Sequence, residues 1–224
     1  MPPKPKFTRE EIIDTAVDVI RESSLEAITA KAIGDRMGTS TRPMFTYFSS
    51  LEELREAALE RAWEIYNSYA ERGFSKTPAF KGFAMEYIQF AIDEPSLFRL
   101  LFMQKAENMT LRDFLNREGH LDLILTTISE NFHINQEEAA WIYENLWLFA
   151  HGIGTVCATG VVRFSKEEIA EKLGTLCRGL LMILHSPKDE RTSIVPESGI
   201  EIPGTVESYM GSMEGIPPIP PYLS

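Results

Sequence analysis

One stretch, TAKAIGDRMGTSTRPMFTYF at residues 29–48, leaves few folds open to this chain. It reads as two short helices around a tight turn. Thr29 is placed to cap the first by accepting from a backbone N–H a turn later, and Ala32, Ile33, Arg36 and Met37 follow at helical spacing. Gly38 ends that helix, because glycine takes the left-handed conformation that closes a helix C-terminus. Thr39 and Ser40 then serve as turn and N-cap of a second helix. Met44 and Phe48, four apart, give the second helix an inward apolar face and leave Thr41, Arg42, Thr46 and Tyr47 pointing outward. From Lys31 to Phe48 the only acid is Asp35, against Lys31, Arg36 and Arg42, in a chain whose net charge is −11. A face so short of acids suits phosphate oxygens and base edges.

Composition bears on this reading through its distribution. The chain has 224 residues, 44% of them hydrophobic, enough for a substantial core in one large domain or two small ones. Its 33 acids outnumber its 22 Lys and Arg, a balance that argues against nucleic acid when charge is evenly spread. Here it is not. Residues 1–50 carry seven bases and seven acids, so the whole −11 lies beyond them, which suits a neutral-to-basic head on an acidic body. No run approaches the roughly 20 apolar residues that span a bilayer, and MPPKPKFTREE lacks the apolar centre of a signal peptide. A cytoplasmic protein without a membrane span is expected.

The remaining periodicity is helical throughout. Thr8-Arg9-Glu10-Glu11 predicts a capping box, followed by an Ile12, Ala16, Val17, Ile20 stripe that ends at Ser23-Ser24. The preceding PPKPK is either a flexible arm that trails toward a nucleic-acid groove or an end without a role. Ser50, with Glu53 as box partner, opens a long helix to about Gly73, with Leu51, Leu54, Ala58, Ala62, Ile65 and Tyr69 on one face. A helix over residues 80–93 follows, then one starting at Pro95, where proline is tolerated in a first turn. Residues 110–132 predict one or two more, broken at Gly119. Capping boxes at Asn135/Glu138 and Ser165/Glu168 open the last two long helices, the second stopping at Pro187. Gly152, Gly154, Ala158 and Gly160 would let a neighbouring helix approach closely. From residue 187 onward lie seven of the chain's 13 prolines, and six acids against two bases, so an irregular or extended tail is expected. Its isoleucines and valines suggest an extended strap along the body or along a second subunit.

Catalytic signatures are missing from the pattern. There is no phosphate-binding glycine loop, H-E-x-x-H, nucleophile elbow or paired Cys-x-x-Cys. Cys157 and Cys177 lack a metal-ligand spacing and read as buried thiols, and His120, His133, His151 and His185 are scattered. No catalytic residue, cofactor or metal is expected. His151 is either a pocket residue or a core histidine.

At GTSTRPMFTYFSSLEEL and the Thr29 to Gly34 segment before it, the chain resembles the TetR family of bacterial transcriptional regulators. Thr29, Ile33, Gly38, Ser40, Tyr47, Phe48 and Glu53-Leu54 stand in register with that family's DNA-binding head; a helical hairpin within a bundle is the plainer alternative. The resemblance implies an all-α protein with a three-helix helix-turn-helix head at 1–50, a helical effector-binding and dimerisation domain at 51–186, and an irregular tail at 187–224. It implies a homodimer, paired through helices at about 136–160 and 166–185. Such a dimer represses from a palindromic double-stranded DNA operator until a small, largely apolar effector releases it. The alternatives are an activator or effector-independent regulator, or a helical interaction protein or enzyme that keeps the head as scaffold. Thr41, Arg42, Thr46 and Tyr47 would face the groove or its phosphates, with Ser40 and Pro43 beside them and Thr29 and Lys31 on the backbone. Phe90, Phe98, Phe102, Trp141, Trp147 and His151 fall where the family builds its effector pocket, although aromatic stripes at helical spacing also make plain core. Phe45 and Leu51 depart from the family's usual tyrosine and lysine, and Pro43 is a third departure.

Overall fold

The structure is a computed structural model that describes residues 7–105, 109–117 and 119–186. Among them every regular element is a helix, and none is long and apolar enough to cross a membrane. The protein is all-α. Residues up to Leu173 form one compact unit, and the chain from Gly174 forms a second, described here to Ser186. The expectations for the PPKPK arm and for the tail from residue 187 lie outside the described residues.

Three helices make the head: α1 (Arg9–Glu22), α2 (Ala30–Arg36) and α3 (Met44–Tyr47). The Thr8 box forms in full, Glu11 N donating to Thr8 Oγ1 at 3.1 Å and Thr8 N to Glu11 Oε2 at 2.8 Å. Ile12, Ala16, Val17 and Ile20 are buried as the stripe predicts, against Ile28, Ile33, Met44 and Phe48. Thr29 caps α2 by accepting from Ala32 N at 3.1 Å, and Gly38 takes φ +63° at the turn. The regular part of α3 is shorter than the sequence suggests. Pro43 has helical torsions but supplies no N–H, and Ser40 Oγ accepts from Arg42 N at 3.4 Å, so residues 41–43 form a turn before Met44.

The long α4 (Leu51–Phe74) starts three residues past Phe48 and carries the chain into the body. Ser50 Oγ accepts from Glu53 N at 3.1 Å, while the Glu53 carboxylate turns to the N and Oγ of Ser49, each at 2.7 Å. Its buried row is Leu54, Ala58, Ala62, Tyr66 and Ala70; the expected Ile65 and Tyr69 are only half-buried. Helix α4 packs on α1 and α5 (Ala79–Asp93), and α5 in turn on α9 (Gln136–Ala158). Between them fit α6 (Pro95–Phe102), α7 (Leu111–Arg117) and α8 (Leu121–Phe132), with Gly119 at φ +72° separating α7 from α8. The Asn135 box opens α9, and a reciprocal Ser165/Glu168 pair opens α10 (Lys166–His185).

The α4–α5 joint is tight. A Cβ on Gly82 would overlap the carbonyl of Gly73, and one on Gly73 would lie 2.7 Å from Phe83 Cα, so both positions need glycine for close approach. Beside it the buried Glu86 carboxylate accepts from Arg72 Nε at 2.8 Å and Nη2 at 2.5 Å, and pairs with Lys76 Nζ. Burial alone would raise the Glu86 carboxyl; Lys76 and Arg72 outweigh it and hold the group below the usual carboxylate range.

Candidate nucleic-acid interface

Four side chains share the open face of the second short helix and its leading turn. Thr41, Arg42, Phe45 and Thr46 are all exposed, while Met44 and Phe48, on the other face, are 2% and 1% exposed. The inward pair fixes the orientation of the outward set. Ser40 is exposed beside them and Pro43 half-buried, and at the start of α2 Thr29 and Lys31 are both exposed. Thr29 spends its hydroxyl oxygen on the α2 cap.

Charge on this face is arranged by what each cation already holds. Arg36 reaches back to Glu22 of α1, with one contact at 2.7 Å, and the pairing raises the guanidinium's proton affinity and lowers that of Glu22. Arg9 lies over the Phe48 ring at 5.1 Å. The side chains of Lys31 and Arg42 make no hydrogen bond or ion pair with any described residue, so both are available to an anion.

Tyr47 is placed differently from an outward groove residue. It is half-buried, and its hydroxyl donates to the Phe7 carbonyl at 2.9 Å, tying the chain ahead of α1 to α3. The local pattern could not show this, since the acceptor lies 40 residues away. Phe45, absent from the expected set, is a large apolar side chain 56% exposed.

Six expected effector residues are spread over an aromatic interior. Phe90, Phe98, Phe102 and Trp147 are buried, and Trp141 and His151 half-buried. His151 stacks on Trp147 with centroids 4.8 Å apart and on Phe98 at 5.6 Å, and its Nδ1 lies 2.9 Å from the Tyr87 hydroxyl. Burial pushes the imidazole below its usual value. No ring contact joins Trp141 to this cluster among the described residues.

A cleft of about 280 Å³ opens in front of that interior. Leu25 and Glu26 of the α1–α2 loop, Leu59 and Trp63 of α4, Leu100 of α6, and Phe114 and Arg117 of α7 are among its lining. Trp63 and Phe114 each make a ring contact with Phe102, at 5.6 and 6.2 Å, and Phe114 meets Trp147 at 5.2 Å. The cleft's aromatic walls are thus the outer layer of the His151 cluster.

Two links tie head to body around this cleft. Arg21 of α1 grips Glu94 through two bonds of 2.8 and 2.7 Å while Ser96 Oγ donates to the Arg21 carbonyl at 2.8 Å. Arg55 of α4 donates to the Ile28 carbonyl at 3.1 Å, just before the α2 cap.

Residues 12–58 match the family described as bacterial regulatory proteins, tetR family. No curated protein matches the chain. The match runs from α1 through the first turns of α4 and encloses the whole exposed face of α3. The head, residues 12–58, is therefore that of a DNA-binding transcriptional regulator of the tetR kind.

Proposed function

We propose that the protein works as a homodimeric repressor that a small, largely apolar effector lifts from a palindromic operator. The observation that carries this reading is the course of α4. The helix begins directly after the recognition segment and supplies Leu59 and Trp63 to the cleft, so a molecule seated there touches the element that holds α3. Phe102, Trp147 and His151 stand behind the cleft wall and join the site when Trp63 or Phe114 changes rotamer; Phe90, Phe98 and Trp141 complete the effector shell. A ligand shifts the equilibrium between bound and released forms only by its difference in affinity for the two.

Dimerisation is assigned to the last two long helices, residues 136–160 and 166–185. Helix α9 supports this with an exposed run of Leu148 (53% exposed), Phe149 (37%) and Gly152, where an added Cβ would meet nothing. Residues three and four apart on a helix share a face, and this one is apolar and open.

Effector-independent regulation is the second reading. It is favoured by the size of the cleft, which at about 280 Å³ sits just under the range of roughly 300–1,000 Å³ usual for ligand pockets. The two readings part in a gel-shift titration on the DNA upstream of the protein's own gene, run at several salt concentrations with and without a panel of small apolar compounds. Salt-dependent binding that one compound abolishes is expected. Binding that no compound alters would replace the first reading with the second, and a folded protein that binds no DNA would end both.

A further inference from the structure

The exposed face of α3 carries a phenyl ring that is more than half open to solvent. A lone exposed phenylalanine elsewhere on a surface would need no explanation. Phe45 is different because of its company: Thr41 and Arg42 lie four and three residues before it and exposed Thr46 follows it, in the segment that meets DNA.

Much of the hydrogen-bonding capacity around it is already in use. Thr46 Oγ1 donates to the Arg42 carbonyl at 3.2 Å, Ser40 Oγ accepts from Arg42 N, and the Tyr47 hydroxyl is held by Phe7. Arg42 keeps a free guanidinium for guanine or phosphate. The Phe45 ring has neither donor nor acceptor, so it is blind to the polar pattern of base edges. In the major groove one base feature remains that such a ring distinguishes, the 5-methyl group of thymine, which no other DNA base carries there.

We infer that Phe45 is a specificity-determining residue that packs on a thymine methyl in the recognised sequence, beside the polar contacts of Arg42 and Thr41. The inference rests on the reading of α3 as the groove-facing helix. It predicts a thymine requirement that hydrogen bonding does not create and that follows the methyl group alone.

The test uses the full chain. Preferred duplexes are selected from a random pool, and each dT in the enriched sequence is replaced by dU, which removes the methyl and leaves every hydrogen bond in place. Kd is measured for the wild type, Phe45→Ala and Arg42→Ala. At one or more thymines the wild type should lose about fourfold for each methyl removed, the worth of burying one such group. Phe45→Ala should bind the dT and dU duplexes alike there, whereas Arg42→Ala should keep the preference while binding more weakly. Because the ring is exposed, Phe45→Ala should melt with the wild type. A wild type indifferent to dU at every position, or a Phe45→Ala protein that keeps the preference, would overturn the inference; the ring then packs on sugar, or on nothing. Failure to enrich any duplex would remove the α3 reading and this inference together, which is a distinct result from an enriched duplex indifferent to its methyl groups.

Discussion

His151 shows how a single side chain couples the body to pH. Its ring is sandwiched by Trp147 and Phe98, and burial lowers its proton affinity; His120 is lowered in the same way, with the charge of Glu71 opposing. For a base lowered on folding, the unfolded chain binds the proton at a pH where the folded chain does not. Stability therefore rises with pH across that window and falls as pH drops through the ordinary imidazole range. The melting temperature should decline between about pH 7 and pH 5, and His151→Gln should flatten the decline, leaving the share of His120. A variant curve parallel to the wild type's would take His151 out of the pH response. At this scale the sequence was readable only where partners are neighbours. Thr8 with Glu11 and Thr29 with Ala32 are local pairs and could be read directly. The hydroxyl of Tyr47 and the ring of Phe45 could not, because the first answers to Phe7 and the second to how little of it the fold covers.

At the scale of the element, helix existence and limits were legible and helix phase was not. Capping residues and prolines mark ends within a few positions, and Gly119 was identified as the break between α7 and α8. For α4 the expected face mixed steps of three and four, 18 residues in five turns, which makes a stripe parallel to the axis. The buried row instead climbs in steps of four from Leu54 to Ala70, an inclined ridge of the kind that packs into a neighbour's groove. Its partners, α1 and then α5, set that incline, and neither is visible from within α4. The α4–α5 joint permits a sharp test. At Gly82 an added methyl meets the Gly73 carbonyl, and a backbone obstacle has no rotamer to change. Gly82→Ala should cost about 1–3 kcal/mol in a urea melt. A loss under about 0.5 kcal/mol, the range of ordinary surface changes, would mean that the joint yields.

For the whole molecule, the DNA-binding head was carried by one local signature, whereas the cleft had none. Its walls come from the α1–α2 loop, α4, α6 and α7, so no window of sequence contains it. Apart from Trp141, the aromatic residues expected to meet the effector form a layer behind that cleft for the same reason: spacing marks burial and does not say which ring is outermost. The dimer is tested on α9. Leu148→Glu puts a charge on the exposed apolar face, and sedimentation should show a monomer with weaker operator binding and a wild-type circular dichroism spectrum. A Leu148→Glu protein that remains dimeric would move the interface elsewhere.

The clamped joint at Gly73 and Gly82 has a mechanical meaning. Helix α4 has 24 residues, which at 1.5 Å each makes a rod about 36 Å long. Its far end is gripped by Glu86 and the glycine contact, and its near end carries the recognition segment. A rod of that length turning by about 5° at its fixed end sweeps its tip through about 3 Å, nearly the rise of one base step. In the proposed dimer, registration on DNA would then be an angle set at a pivot far from any base. Substitutions there should change which spacing between half-sites the protein prefers, and leave untouched which bases it reads.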